Sequence, residues 1–251
     1  MAQARAAHLQ RVLILLAGAL ILKVTFAVVS GYVNYFPPNF RSDFLHGRER
    51  YFYGGYQWAF YTHIAAGPVS LVLGTMLVSE RFRRRFPQWH RVLGRVQIAT
   101  VLLLVAPSGL WMSYYAAAGA VAAAAFASLS LATGICAVLG FRCAVQRRFA
   151  AHRRWMWRCF LLLCSAVVLR LVVGLATVYA FGPDWFDPLM SWACWLTPLA
   201  AYEWLNRARS RHANQLSLPA IEMSARHSAG ANSALRECTL PSTNAALIPP
   251  G

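Results

Sequence analysis

The sequence predicts an all-α polytopic membrane bundle of about six transmembrane helices around a four-helix core. Three observations predict it: long apolar runs, charge confined between them, and arginine gathered at alternate junctions. Of the 251 residues, 58% are hydrophobic and 13% charged, against about 25% charged in an ordinary soluble domain. Each charge placed in hydrocarbon costs about 2.5–3.5 kcal/mol on insertion scales, so its exclusion from the runs is expected of a bilayer protein.

The runs come at residues 12–33, 58–79, 92–115, 117–141, 155–181 and 185–206. Each is about 20 residues or more, enough to cross roughly 30 Å at about 1.5 Å per residue. The first is too long for the apolar part of a signal peptide and no small-x-small cleavage site follows it, so it is expected to be retained. The second to fifth form the expected core. The fourth is rich in alanine, with Gly119 and Gly134, and small residues permit close helix approach. Pro68, Pro107 and Pro198 each predict a kink and a freed carbonyl. Pro68 frees that of Ile64, a candidate partner for Lys23 or Arg170.

Positive charge sets the orientation. The formal net charge is +16, and 23 of the 24 cations are arginine. The segment from Glu80 to Arg91 and the six arginines from Arg142 to Arg158 follow the second and fourth runs. The loops after the third and fifth runs carry neither Arg nor Lys. Both basic loops and both termini are therefore expected in the cytoplasm, with Arg41, Arg48 and Arg50 as exceptions in the first outer loop. Trp58, Trp111, Tyr114, Tyr115, Tyr179 and Trp185 fall near the opposite end, where interfacial aromatics belong. One lysine against 23 arginines, with abundant alanine, is the coding bias of a GC-rich bacterial genome, which points to the inner membrane. Arginines flanking apolar runs read as topology signals and as contacts to anionic lipid headgroups, not as a nucleic-acid surface. The six cysteines form no Cys-x-x-Cys pair and mostly lie in apolar runs, so they read as small buried hydrophobes. Residues 207–251 shift to Ser, Ala, Asn and Pro and are expected to form a disordered cytoplasmic tail.

Candidate chemistry rests on histidines and on cations at depth. His63, Gly67, Ser70 and Gly74 share one face of the second helix, and His90, Gly94 and Gln97 one face of the third. A glycine one turn from a histidine clears room for a flat ligand, as histidine-ligated haem requires. His90 and His152 begin helices that run in the same direction, so both imidazoles lie at the basic end. They are candidate axial ligands of one b-type haem, with Arg91, Arg95 or Arg158 pairing with its propionates. The alternative is two interfacial imidazoles bonded to headgroups.

Lys23 lies mid-helix and Arg170 about 11 residues from the outer end of the fifth run, or roughly 16 Å deep. Apart from Asp187 at the edge of the sixth run, the one acid within any run is Glu203. Carbonyls, water or an anionic ligand should then compensate these cations, and Lys23, Arg170 and His63 are candidate cavity residues. Arg170 falls five turns from His152 on a stripe with Met156, Cys159, Leu163 and Ala166, the expected inward face. Plainer readings are a snorkelling Lys23, a structural Arg170 and a hydrogen-bonded His63. The sequence has no nucleophile elbow, phosphate loop, zinc-protease motif or dinucleotide glycine pattern, and no carboxylate pair spaced for hydrolysis.

The segments Tyr61-Thr-His63-Ile-Ala-Ala-Gly67-Pro, Trp89-His90-Arg91-Val-Leu-Gly94-Arg95-Val and His152-Arg-Arg-Trp155-Met156-Trp-Arg158, with Leu169-Arg170-Leu, resemble the prokaryotic membrane family called domain of unknown function 2306. The resemblance covers about residues 58–206. It implies the membrane architecture and no particular reaction. A looser similarity is to haem-b cytochromes of the ascorbate-reducible and ferric-reductase type, with histidines on alternate members of a four-helix core. This chain lacks a histidine on its fourth helix, so that similarity implies one haem at most. Three functions follow: a b-haem or quinone-linked redox protein, a carrier or binder of a lipid or small anion, and a partner subunit of another membrane protein.

Overall fold

A computed structural model describes residues 2–42, 44–208 and 210–211. The expected tail falls almost wholly outside the described residues. The chain divides into two units, Met1–Leu199 and Ala200–Gly251. In the second, residues 200–208 are helical. The first holds α1 (Ala2–Ser30), α2 (Gln57–Val78), the short α3 (Glu80–Arg85), α4 (Pro87–Thr100), α5 (Ala106–Ser113), α6 (Gly119–Val145) and α7 (Phe149–Val178). It closes with helical residues 186–199. No strand element forms among the described residues, and the all-helical class is borne out. Five segments are long and apolar enough to cross a membrane: Leu15–Asn34, Glu49–Val78, Pro87–Ser113, Gly119–Val145 and Phe149–Val178.

Local chemistry accounts for the breaks. The Ser79 hydroxyl accepts from the Phe82 N–H and caps α3, as serine does at a helix start. Pro87 then opens α4 at a position where its missing N–H costs nothing. A π-helical turn at Val101–Val105 joins α4 to α5 just before Pro107. Gly119 adopts φ +81° at the start of α6, a conformation only glycine takes without strain.

The core is a ring of four. α2 packs on α5 and α7, and α6 packs on both α5 and α7. The α4–α5 rod and α7 are therefore diagonal partners, as are α2 and α6. Ala122, Ala125 and Ala137 of α6 are fully buried, and Gly140 sits against Met156 of α7. Small residues let these backbones approach where the hydrophobic effect cannot draw helices together. One apolar cluster joins Val101, Cys136, Cys159, Leu162, Cys194 and Trp195. No disulfide joins the five described cysteines. Leu15, Phe26, Leu103, Leu131, Ile135 and Leu175 are exposed, a surface suited to lipid and not to water.

The segment before α2 folds as an aromatic cap around Arg48. That side chain is buried, donating through Nε to Phe44 O (2.7 Å) and through Nη1 to Tyr115 O (2.8 Å) and the Tyr51 hydroxyl (3.2 Å). Its guanidinium also lies 4.8 Å from the centre of the Phe44 ring, a favourable cation–π arrangement. Leu45, Phe52, Tyr56 and Phe60 pack into the same buried cluster. Arg48 is thus a structural post and not a topology signal, which explains one of the three outer-loop exceptions. Arg48→Ala should cost about 2–4 kcal/mol, through orphaned carbonyls and lost ring contacts. Thermal unfolding in detergent should show the loss, with Arg48→Lys intermediate.

Candidate functional site

A file of polar side chains runs along the interior of the core. At its aromatic end, His63 Nδ1 lies 3.0 Å from Ser108 Oγ. The Ser108 hydroxyl gives its proton to Leu104 O in the π turn, so it accepts from His63. His63 also donates to the backbone carbonyl of Val105 in that turn, so the imidazole is held by two groups of the α4–α5 rod. Gly109 makes the contact close: a β-carbon there would lie 2.7 Å from Ser130 Oγ and 3.2 Å from the His63 ring.

Mid-core, Gln97 Nε2 donates to Ser70 O (3.0 Å) and Ser70 Oγ (2.9 Å). Gln97 and Ser70 are both buried, and Gln97 Oε1 has no hydrogen-bond partner among the described residues. The faces His63–Ser70–Gly74 and His90–Gly94–Gln97 therefore meet through this pair.

At the arginine-rich end His152 Nδ1 lies 2.8 Å from Gly140 O. A carbonyl only accepts, so Nδ1 carries the proton and Nε2 is free to bind. A histidine oriented by a backbone carbonyl in this way is the usual support for a metal-ligating imidazole. His90 Nδ1 is buried and unpartnered among the described residues. The charges of the two imidazoles act on one another, and Arg83 acts on His90 as well. His90 and His152 lie at the same end of the core on α4 and α7, which are diagonal and not adjacent, with α2 and α6 between them.

The remaining candidates divide by exposure. Arg91 and Arg95 are exposed beside His90. Arg158 is half-buried, with its guanidinium 4.5 Å from the centre of the Trp155 ring. The stripe on α7 is inward from His152 to Leu163, then exposed at Ala166 and Arg170. Lys23 is exposed, whereas Ile21 and Val24 pack against the Leu71–Phe160–Val167 cluster. The Ile64 carbonyl freed by Pro68 accepts from the Tyr32 hydroxyl at 2.7 Å, not from Lys23 or Arg170.

Arg83, Tyr32, Ser108 and Gly140 were not singled out from sequence. Gly140 and Arg83 leave no sequence signal, since their roles depend on helix packing. Outside the spans, Glu80 accepts from Arg84 (2.9 Å) and Arg83 (3.0 Å). The hydrogen bond from Arg84, with the charge of that arginine, holds its carboxyl below the usual value. These pairs persist above the ordinary carboxylate range and are lost as pH falls through the lowered value.

Apolar spans, lipid-suited flanks and an internal polar file define a polytopic helical membrane protein embedded in the lipid bilayer. The model of the family described as "Predicted membrane protein (DUF2306)" matches residues 60–205. The chain belongs to that family, and the matched residues include all of the polar file. No curated protein and no solved structure matches the chain.

The fit around His63 gives a direct test. Gly109→Ala should cost about 1–3 kcal/mol by overpacking, seen as lowered thermal stability in detergent. Ser130→Ala in the same chain should restore most of it by removing the nearest clashing oxygen.

Proposed function

We propose that this protein is a b-haem or quinone-linked redox protein of the bacterial inner membrane. In this reading residues 185–206 make a sixth crossing, and both termini and the arginine-rich end face the cytoplasm. His90 of α4 and His152 of α7 would hold the haem iron. Arg91, Arg95 or Arg158, with Arg83, would pair with propionates.

The observation that carries the reading is the state of the two imidazoles. His152 spends its N–H on Gly140 O and keeps Nε2 free. His90 buries Nδ1 with no partner among the described residues. An unpartnered buried nitrogen is costly unless something else takes it up. A β-carbon on Gly94, one turn from His90, would meet nothing within 4 Å, so space adjoins the histidine where a flat group would lie. The donor set fits, since bis-imidazole ligation is a common way to hold b-type haem. When bound, such a haem supplies one-electron transfer, its potential set by ligands and burial. This chain's own residues fix the ring orientation at His152, place a cation near His90 and exclude water through the surrounding apolar cluster.

The test is the reduced-minus-oxidised absorption spectrum of full-length protein purified from membranes. A sharp α-band of the b type should appear in the wild type. His90→Ala and His152→Ala should each abolish it while the helical circular dichroism persists. A well-folded, colourless wild type from haem-replete cells would overturn the reading.

A further inference from the structure

Outside the histidine pair, α1, α2 and α7 pack together, and Tyr32, His63 and Arg170 stand on or just beyond these helices. Arg170 is exposed on α7 within the Phe149–Val178 span, about two turns from its aromatic end. Among the described residues its guanidinium makes one hydrogen bond, a 3.4 Å contact to Ala166 O of its own helix. Glu80, beyond the opposite end of α2, pairs with Arg83 and Arg84. Arg170 therefore holds a forked set of N–H donors with no carboxylate to receive them.

Its charge reaches two further polar groups. One is the Tyr32 hydroxyl, which is anchored by donating to Ile64 O. The other is the His63 imidazole, held by Ser108 and by the Val105 carbonyl. The guanidinium retains donors to give. Exposed Leu171 and Leu175 lie on the next turns of α7, with Phe26 and Val29 on α1, so apolar surface flanks this polar spot. A cation at membrane depth, without a protein counter-charge and bordered by acyl-compatible surface, suits a group that is anionic at one end and greasy at the other.

We propose that Arg170, with Tyr32 and His63, forms a binding site for the phosphate group of a membrane phospholipid. The guanidinium takes two phosphate oxygens as a fork, the geometry arginine favours. Tyr32 and His63 supply the polar edge beside it, and Leu171 and Leu175 border the acyl chains. The site stands apart from His90 and His152 and does not depend on haem being bound.

The experiment is native mass spectrometry of the full-length, delipidated protein in non-ionic detergent. Phosphatidylglycerol and phosphatidylcholine are titrated separately, with and without millimolar inorganic phosphate. Wild type should retain phosphatidylglycerol about tenfold better than phosphatidylcholine, and Arg170→Gln should erase that preference. Should that variant fail to fold, Arg170→Lys keeps the charge without the fork and should still bind about tenfold more weakly. Displacement by inorganic phosphate would assign the site to free phosphate, and persistence would assign it to the lipid; both uphold an oxyanion site at Arg170. Equal retention of the two lipids by wild type, or equal retention by wild type and both variants, would overturn it.

Discussion

The constraint on which this structure depends is that a polar group inside hydrocarbon must find its partner within the protein. Water is not there to supply one, so each buried donor or acceptor is placed by another. His63 is held by Ser108, Ser70 by Gln97, His152 by Gly140 O and Tyr32 by Ile64 O. These bonds tie α2 to α4, α5 and α1, and α7 to α6. They set the register of helices whose apolar surfaces, being as greasy as the lipid, would otherwise slide with little penalty. The two proline-associated breaks belong to the same scheme. Pro68 releases a carbonyl that receives Tyr32, and the π turn before Pro107 presents the Leu104 carbonyl to Ser108.

Against that background, the atoms left over are informative. Gln97 Oε1 and His90 Nδ1 are buried without a partner among the described residues, and both lie on one face of α4. Arg170 is the complementary case, a cation with donors to spare on an exposed flank. The haem proposal and the phospholipid proposal each assign a chemical purpose to one of these surpluses. They occupy opposite ends of the bundle, so either can hold without the other.

The fold was largely legible in the sequence because its determinants are additive along the chain. Apolar length and the placement of arginine can be counted without knowing any contact. Proline positions announced the freed carbonyl of Ile64, and helical spacing put Gln97 on the face of His90. What receives the freed carbonyl was not legible, because Tyr32 lies 32 positions away on another helix. The diagonal placement of α4 and α7 was hidden for the same reason: spacing fixes a face but not which helix stands opposite. Arg48 shows a further limit. By count it opposes the charge rule, whereas in the fold it is the buried centre of an aromatic cap. A charge tally cannot separate a cation facing lipid headgroups from one enclosed by carbonyls and rings.

All of these assignments assume that the arginine-rich end, with α3 and the start of α7, lies on the inner side of the membrane. The most direct measurement is thiol labelling of intact cells with a membrane-impermeant maleimide, using single cysteines in a cysteine-free background. Arg84→Cys should stay unlabelled until the cells are opened, while Ala116→Cys at the aromatic end should react at once. Labelling of the residue 84 site from outside, with protection at residue 116, would contradict the orientation and the placement of both proposed sites.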